Sequence, residues 1–226
     1  MKYNNIVKGT FLSRPNRFIA YVEIDGNIEI AHVKNTGRCR ELFVPGAVLY
    51  LQKNDNPSRK TKYDVIAVKK GDRTINIDSQ IPNKAFEEFV FKTDIWGNID
   101  YIKPECTYKK SRFDFYIESG ERKMFVEIKG VTLEESNIVR FPDAPTERGV
   151  KHLNELSNAV NDGYEAYVVF VVQMNDVDHF EPNRATHPEF AIALENAVKN
   201  GVRVYAFECD VSFEHITINK EIKICI

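Results

Sequence analysis

The chain has 226 residues, of which 43% are hydrophobic and 12% aromatic, so it can bury a core in one large or two small domains. No apolar run reaches the roughly 18 residues of a membrane-spanning helix and the first residues do not resemble a secretion signal, which predicts a cytoplasmic protein without membrane contact. The net charge of −2 alone favours no polyanionic partner, and four isolated cysteines without C-x-x-C spacing argue against a zinc knuckle or a disulfide framework.

Charge is distributed unevenly along the chain. Residues 1–80 contain 14 Lys and Arg against 8 Asp and Glu, whereas residues 81–226 contain 17 against 25. A basic first domain over 1–80 and an acidic second domain over 81–226 are therefore predicted. Such asymmetry indicates nucleic-acid contact through the basic part; an ordinary solvated lysine-rich surface is the alternative.

The first domain shows short alternating segments separated by turn residues. Strands are predicted over 17–24, 27–33, 47–53, 63–70 and 74–77, and Asp25-Gly26-Asn27 is a hairpin turn signal. Short strands at this spacing indicate a small barrel. The five-stranded barrel that binds oligonucleotides is one candidate.

Arginines and aromatic residues occur together at strand starts and loops of this domain. The arginines are Arg14, Arg17, Arg38 and Arg40, and the aromatic residues are Phe11, Phe18, Tyr21 and Phe43. Basic groups beside aromatic rings hold phosphates and stacked bases, so the four arginines are predicted to bind nucleic acid. The alternating strand positions of Phe18 and Phe43 favour the core instead.

From residue 81 the pattern changes to alternating helices and strands. Helices are predicted over 83–91, from a Thr146 cap to about Asp162-Gly163, and over 188–200; strands are predicted over 98–106, 112–117, 124–130, 164–174 and 202–207. Residues 131–145 are predicted to form a long irregular segment, of the kind that is usually functional or mobile. Strands alternating with helices imply parallel crossovers and an α/β sheet.

The strands over 112–117 and 124–130 carry the strongest candidate chemistry. Pairing Ile117 with Met124 places Asp114 directly opposite Glu127, with Cβ atoms about 5 Å apart. The predicted faces are Asp114, Tyr116, Phe125, Glu127 and Lys129 on one side and Phe113, Phe115, Ile117, Val126 and Ile128 on the other.

Two carboxylates so close destabilise a hairpin unless a proton or a cation bridges them. Hard oxygen ligands suit Mg²⁺, so Asp114 and Glu127 are predicted metal ligands for Mg²⁺ or Mn²⁺, with Lys129 beside them. A solvent-facing hairpin with charges on its wet side is the alternative. Glu88 and Glu105 are further candidate ligands.

The helix that begins after Thr146 adds two polar candidates. Arg148 and His152 are four residues apart and share one helix face, opposite Leu153 and Leu156. Both are predicted to contact nucleic-acid phosphates, with plain solvation of a polar face as the alternative.

Three strings resemble the sugar fermentation stimulation protein family. They are Asn35-Thr36-Gly37-Arg38-Cys39, Ser111-Arg112-Phe113-Asp114-Phe115, and Phe141-Pro142-Asp143-Ala144-Pro145-Thr146-Glu147-Arg148-Gly149 with His152-Leu153. The resemblance covers nearly the whole chain. It implies an oligonucleotide-binding-type barrel followed by a domain similar to the PD-(D/E)xK nucleases, an α/β (α+β two-domain) fold with a mixed central sheet. It also implies non-specific DNA binding and a regulatory role in maltose or sugar metabolism.

Carried over residue by residue, Asp114 and Glu127 match the acids of the nuclease motif and Lys129 its lysine, while Phe113 stands where the motif name has proline. Two functions stay open: a DNA-binding regulatory protein with a nuclease-like metal site, and a Mg²⁺-dependent phosphodiesterase that cleaves DNA or RNA, in which Asp114, Glu127 and Lys129 are catalytic. A homodimer is a common arrangement for proteins that bind duplexes.

Overall fold

The structure is a computed structural model and describes residues 1–35 and 37–226. Within these ranges, no helix is both long enough and apolar enough to cross a membrane.

The first part of the chain is a closed five-stranded barrel with a short sixth strand. Its strands are β1 (Ile6–Asn16), β2 (Ile19–Ile24), β3 (Asn27–Val33), β4 (Val48–Lys53), β5 (Tyr63–Lys70) and β6 (Arg73–Asn76). They hydrogen-bond in the order β3-β2-β1-β4-β5-β6, and a parallel pairing of β3 with β5 closes the barrel. The predicted oligonucleotide-binding-type barrel is thus confirmed.

The longest strand of the barrel, β1, was not among the predicted strands. It pairs with both β2 and β4 and has irregular register around Phe11, Ser13 and Asn16. Gly9 and Pro15 interrupt the alternation of apolar and polar residues that would predict a strand. Register shifts such as β-bulges bend a strand around a barrel.

The second part is built on a mixed six-stranded sheet. Its elements are α1 (Ile81–Phe89), two 3-10 turns (Val90–Lys92 and Asp94–Trp96), β7 (Tyr101–Tyr108), β8 (Ser111–Ser119), β9 (Arg122–Val131), β10 (Leu133–Glu135), β11 (Ile138–Phe141), α2 (Glu147–Asn161), β12 (Glu165–Val172), β13 (His179–Pro182), α3 (Pro188–Lys199), β14 (Arg203–Val211), β15 (Ile216–Glu221) and β16 (Lys223–Ile224). The main sheet has the order β15-β14-β12-β9-β8-β7, in which β9, β12 and β14 are parallel. The predicted mixed α/β sheet is confirmed.

The prediction of an irregular segment over 131–145 is wrong for most of its length. Residues 133–141 form the hairpin β10-β11, which joins β13 and β16 in a second, four-stranded sheet. The signal was weak because these strands are only three and four residues long. Residues 142–146 then lead into α2, whose N-cap is Thr146 as predicted.

Helices cover both faces of the main sheet. Helices α2 and α3 pack on one face, where Leu153 and Leu194 join a hydrophobic cluster that continues into the barrel interior. Helix α1 packs on the other face, with Phe86 against Trp96 and Phe115. The carboxyl ends of β9 and β12 lie beside the barrel, where Gln173 accepts a backbone hydrogen bond from Asn76 at 2.9 Å and donates one to Val131 at 2.9 Å. The candidate acids are carried by β8 and β9.

An ion-pair network fastens the opposite end of the three parallel strands. Glu165 of β12 accepts hydrogen bonds from Arg122 of β9 at 2.7 and 2.9 Å and from Arg203 of β14 at 2.8 Å, and Tyr167 joins the network. The hydrogen bonds from Arg122 lower the pKa of Glu165 to about 2, although partial burial opposes the shift.

Replacing Glu165 by Gln is expected to lower the free energy of unfolding at pH 7 by about 1 to 3 kcal/mol, as for other hydrogen bonds to charged groups. Because folding depresses the pKa of this carboxyl group, its contribution is complete above its ordinary value of 4.5 and is lost as the pH falls toward about 2. Denaturant unfolding across this range should give a flatter pH profile for Glu165→Gln than for the parent chain. Glu121→Gln, in an exposed turn, is the control; equal profiles for all three proteins would contradict the assignment.

Candidate functional site

The two candidate acids lie where β8 and β9 separate. The predicted register of Ile117 with Met124 is confirmed, but the pairing of the two strands ends at Phe115 and Val126. Asp114 and Glu127 are therefore not a ladder pair, contrary to the prediction. Instead, the Oδ2 atom of Asp114 accepts a hydrogen bond from the backbone N–H of Ile128 at 2.7 Å.

The separation also changes which way the phenylalanines of β8 point. Phe113 was predicted to share a face with Phe115, and this is wrong. The ring centroid of Phe113 lies 5.2 Å from that of Phe125 and 6.1 Å from that of His152, on the α2 face of the sheet. Phe115 instead packs on Phe86 of α1. The side-chain alternation of β8 is thus broken at Asp114, because this residue no longer follows the ladder to β9.

Asp114 is held from the α1 side of the sheet. Its Oδ1 atom accepts a hydrogen bond from the Asn83 side chain at 2.8 Å. Burial and the neighbouring charge of Glu127 raise the pKa of Asp114, although the hydrogen bonds from Ile128 and Asn83 oppose the shift. The ionised carboxylate is therefore kept at an electrostatic cost.

Glu127 is held from the α2 side and is only 3% exposed. Its Oε1 atom accepts hydrogen bonds from Lys129 Nζ at 2.5 Å and from the Nδ1 atom of His152. Burial acts to raise the pKa of Glu127, but His152 and Lys129 outweigh it and the pKa is lowered. The Oε2 atom is buried and has no hydrogen-bond partner within the described part of the chain.

His152 lies inside the protein rather than on an exposed helix face. Its Nε2 atom accepts from Arg148 Nε at 3.4 Å, so Nδ1 carries the hydrogen that is donated to Glu127. The predicted contact of His152 with nucleic acid stays a prediction, and the structure gives the imidazole another partner. Arg148 lies at the outer end of this chain of contacts.

The two acids line an open depression of about 350 Å³. It is lined by Ser79, Gln80, Asn83, Asp114, Glu127, Ile128, Lys129 and Arg148. The unpartnered Glu127 oxygen beside a second carboxylate fits a hard divalent cation, which prefers oxygen ligands. No cluster of three or more Asp, Glu, His or Cys side chains suited to one ion occurs within 1–35 and 37–226, so the remaining ligands would be a backbone carbonyl, water or substrate.

The two further candidate acids lie elsewhere. Glu88 pairs with the N-terminal amine at 2.6 Å, and Glu105 pairs with Arg112 at 3.3 Å. Their prediction as additional metal ligands is wrong, because each has another partner outside the depression.

Gly130, next to Lys129 on β9, is closely enclosed by the side chains of Gln173 and Pro82. A Cβ atom on Gly130 would lie 2.5 Å from Gln173 Oε1 and 2.8 Å from Pro82 Cγ. The Nε2 atom of Gln173 in turn donates to the backbone and side-chain oxygens of Asn76 and to the backbone carbonyl of Asp78, which connects the end of β12 to the barrel. Residue 130 therefore tolerates no side chain without displacement of one of these neighbours.

The four barrel arginines have two different environments. Arg17, Arg38 and Arg40 are exposed and, with the other residues Phe11, Leu12, Ser13, Arg14, Asn16, Phe43 and Pro45, line a depression of about 500 Å³. Arg14 is half-buried, and its guanidinium carbon lies 4.5 Å from the ring centroid of Phe43. Its guanidinium group donates hydrogen bonds to four backbone carbonyl groups. These belong to Arg17, Asn35, Gly37 and Arg38.

The aromatic residues of the barrel also differ from one another. Phe43 is buried, as predicted, but Phe18 is 45% exposed, so its predicted place in the core is wrong. Phe18 precedes β2 in the turn after β1 and escapes the strand alternation. Its ring lies 5.4 Å from the guanidinium carbon of Arg17.

Sequence reasoning missed Asn83 and Asp143. Asn83 reaches Asp114 from a helix 31 residues earlier, and no local pattern predicts such a contact. Asp143 accepts a hydrogen bond from the backbone N–H of Arg38 at 3.2 Å and so joins the barrel to the segment before α2. Its place in the string Phe141-Pro142-Asp143-Ala144-Pro145, between two prolines, was the available signal.

Comparisons with known proteins agree with this architecture. Residues 12–77 match the SfsA N-terminal OB domain, and residues 80–215 match the sugar fermentation stimulation protein RE domain. The sugar fermentation stimulation protein homolog of Clostridium beijerinckii is 57% identical over 226 residues, covering 100% of both chains. The homolog of Desulfitobacterium hafniense is 60% identical over 216 residues, covering 96% of this chain and 94% of the relative.

A solved structure extends the similarity to the fold. SfsA of Pyrococcus furiosus, described as a complex with Ca²⁺, superimposes with a TM-score of 0.90 at 31% identity and covers 100% of this chain and 98% of its own. The family domains matched in the barrel and in the mixed-sheet part, together with the full-length relatives, show that this chain belongs to the sugar fermentation stimulation protein family.

Proposed function

We propose that this chain binds DNA largely without sequence specificity and holds a divalent cation, Mg²⁺ or Mn²⁺, at Asp114 and Glu127. The observation that carries the cation site is the Oε2 atom of Glu127, which is buried and has no hydrogen-bond partner among the described residues, while the partly buried carboxylate of Asp114 lines the same open depression. The Pyrococcus furiosus relative, whose structure is a complex with Ca²⁺, supports it, because Ca²⁺ and Mg²⁺ both take oxygen ligands.

The charge distribution supports DNA as the partner. Arg17, Arg38 and Arg40 are exposed on the barrel, and Arg148 lies beside the acids. None of these four guanidinium groups has a carboxylate within 4.0 Å in the part of the chain that is described. Arg148 donates to His152 through Nε, which leaves its two terminal nitrogens for phosphates. Binding should therefore weaken steeply with salt.

Phosphodiester cleavage is the second candidate function, favoured by Lys129 and Arg148 lining the same depression as the acids. A bound cation would polarise the scissile phosphate and activate water. Lys129 would offset negative charge that develops on the phosphoryl oxygens, and Glu127, fixed by His152, would keep its ligand oxygen in place.

A regulatory role in sugar or maltose metabolism, cytoplasmic location and a homodimer stay predictions.

The cation site predicts opposite effects of Asp114→Asn with and without metal. In EDTA the variant should unfold at the same or a higher temperature than the parent chain, because Asn removes the repulsion from Glu127 and can keep the hydrogen bond from Ile128. Added Mn²⁺ should raise the unfolding temperature of the parent chain but not of Asp114→Asn. Asp72→Asn, in an exposed turn, should behave like the parent; an equal Mn²⁺ effect in Asp114→Asn would contradict the site.

His152 is expected to position Glu127. His152→Ala should lower the free energy of unfolding by about 3 kcal/mol, since it leaves a buried charge with one partner fewer. It should also weaken Mn²⁺ affinity, measured by calorimetric titration. His152→Gln, which can donate to Glu127, should restore part of both; unchanged Mn²⁺ affinity in His152→Ala would show that the contact has no such role.

Cleavage is tested with labelled single- and double-stranded DNA in Mg²⁺, Mn²⁺ or EDTA. Lys129→Met is expected to abolish metal-dependent cleavage and to leave DNA affinity in EDTA nearly unchanged, with Lys123→Met on the same strand as the matched control. Loss of both cleavage and binding in Lys129→Met would contradict the assigned role. Salt-sensitive binding without cleavage by the parent chain would favour the regulatory binder.

A further inference from the structure

Four depressions of the surface adjoin one another in series. Arg17 lines both the barrel depression and a second depression of about 370 Å³, Ser79 lines the second and the one over the acids, and Arg148 lines the latter and a fourth of about 560 Å³. The path, here called the groove, thus runs from the barrel across the acids to Lys151. It crosses both parts of the chain.

The two ends of the groove are basic and its middle is acidic. Arg17, Arg38 and Arg40 stand at the barrel end, while the fourth depression contains Lys110, Arg112, Glu147, Arg148, Lys151 and His152. Asp143 lies in the second depression, where its Oδ2 atom accepts from the Arg38 N–H. A polyanionic strand would be held at both ends, and the cation proposed at Asp114 and Glu127 would lie between these acids and one of its phosphates.

Hydrogen bonds hold the turns that carry the basic side chains at the barrel end. The guanidinium of Arg14 donates to the carbonyl groups of Arg17 and Arg38, so the two turns that present these side chains are tied to each other. Phe18 is 45% exposed next to Arg17. Phe18 does not line the barrel depression itself; its ring stands at the rim, beside Arg17, which does. An exposed aromatic ring next to basic side chains can stack on an unpaired base.

Several features select a single strand over a duplex. An exposed ring can stack on a base only if that base is not enclosed in a double helix. The second depression adjoins the contact of Arg38 with Asp143, where a Cβ on Gly37 would lie only 2.5 Å from Asp143 Oδ2, so the barrel and the second part close on each other there. Proteins that read the sequence of a duplex insert a helix or a ribbon into a groove of the DNA, whereas the basic side chains here line recessed depressions.

We propose that the groove holds one single polynucleotide strand, which runs from Phe18 and Arg17 past the acids to Lys151. This inference rests on the proposed function, since it names the form of nucleic acid that the same site takes. DNA and RNA strands share the phosphates and bases that the groove contacts. The sugar is therefore distinguished by the experiment.

The test measures fluorescence anisotropy of labelled oligothymidylate, oligouridylate and a DNA duplex of equal length, all in EDTA so that cleavage does not intervene. The parent chain is expected to bind a single strand at least about tenfold more tightly than the duplex. Phe18→Ala should weaken single-strand binding about 5- to 150-fold, which corresponds to the stacking of one base at about 1 to 3 kcal/mol. Phe91→Ala, which removes another exposed ring outside the groove, should leave it unchanged.

Continuity of the groove is tested at its two ends. Arg17→Ala and Lys151→Ala should each weaken binding of the same oligonucleotide and each reduce the slope of log affinity against log salt by about 1. A preferred DNA or RNA strand identifies the sugar, and either supports the proposal.

Equal affinity for duplex and single strand, or no effect of Phe18→Ala, would overturn the single-strand proposal and leave the proposed DNA binding intact. An effect of Arg17→Ala without one of Lys151→Ala would overturn the continuous path. Failure to bind any of the three nucleic acids would overturn the proposed function together with this inference.

Discussion

The buried carboxylate of Glu127 is the constraint on which the site depends. Removing a carboxylate from water costs several kcal/mol unless charge and hydrogen bonds compensate. One compensating group, Lys129, comes from the same strand, but the other, His152, comes from α2. The geometry at Glu127 is therefore coupled to the packing of α2 on the sheet and to the Thr146 cap at which this helix starts.

Asp114 is stabilised in a different way, from the opposite side of the sheet. Its charge is met by a backbone N–H and by the amide of Asn83, and no cationic group is hydrogen-bonded to it within the described residues. One acid thus has a lowered pKa and the other a raised one, although they are close neighbours. The pair is asymmetric: Glu127 is ionised at small cost, while Asp114 has the most to gain from a nearby cation.

Local signals were enough to predict much of this arrangement. The alternation of β8 and β9 predicted the Ile117 to Met124 register, and the cap at Thr146 and the Asp162-Gly163 ending bounded α2. These features depend on neighbours in the chain. The barrel and the mixed sheet followed from strand spacing and the order of elements together with the family resemblance.

What the sequence did not predict depends on contacts between distant residues. The departure of β8 from its ladder at Asp114 is favoured by Asn83 of α1 and by the Ile128 N–H, and a strand pattern contains neither. The burial of His152 likewise follows from Glu127, not from the polarity of its helix face. Arg14 looked like its neighbours in sequence, yet backbone carbonyl groups of two turns occupy its guanidinium.

Gly130 shows how a residue without a functional group bears on the chemistry. The missing side chain lets Pro82 approach β9, and Asn83 is the next residue of α1. The distance between α1 and the sheet therefore affects the hydrogen bond from the Asn83 amide to Asp114. This hydrogen bond acts to lower the pKa of Asp114, so it favours the ionised form that binds a cation. The absence of a side chain at one strand position, Gly130, thus influences the ionisation of an acid that lies on the neighbouring strand.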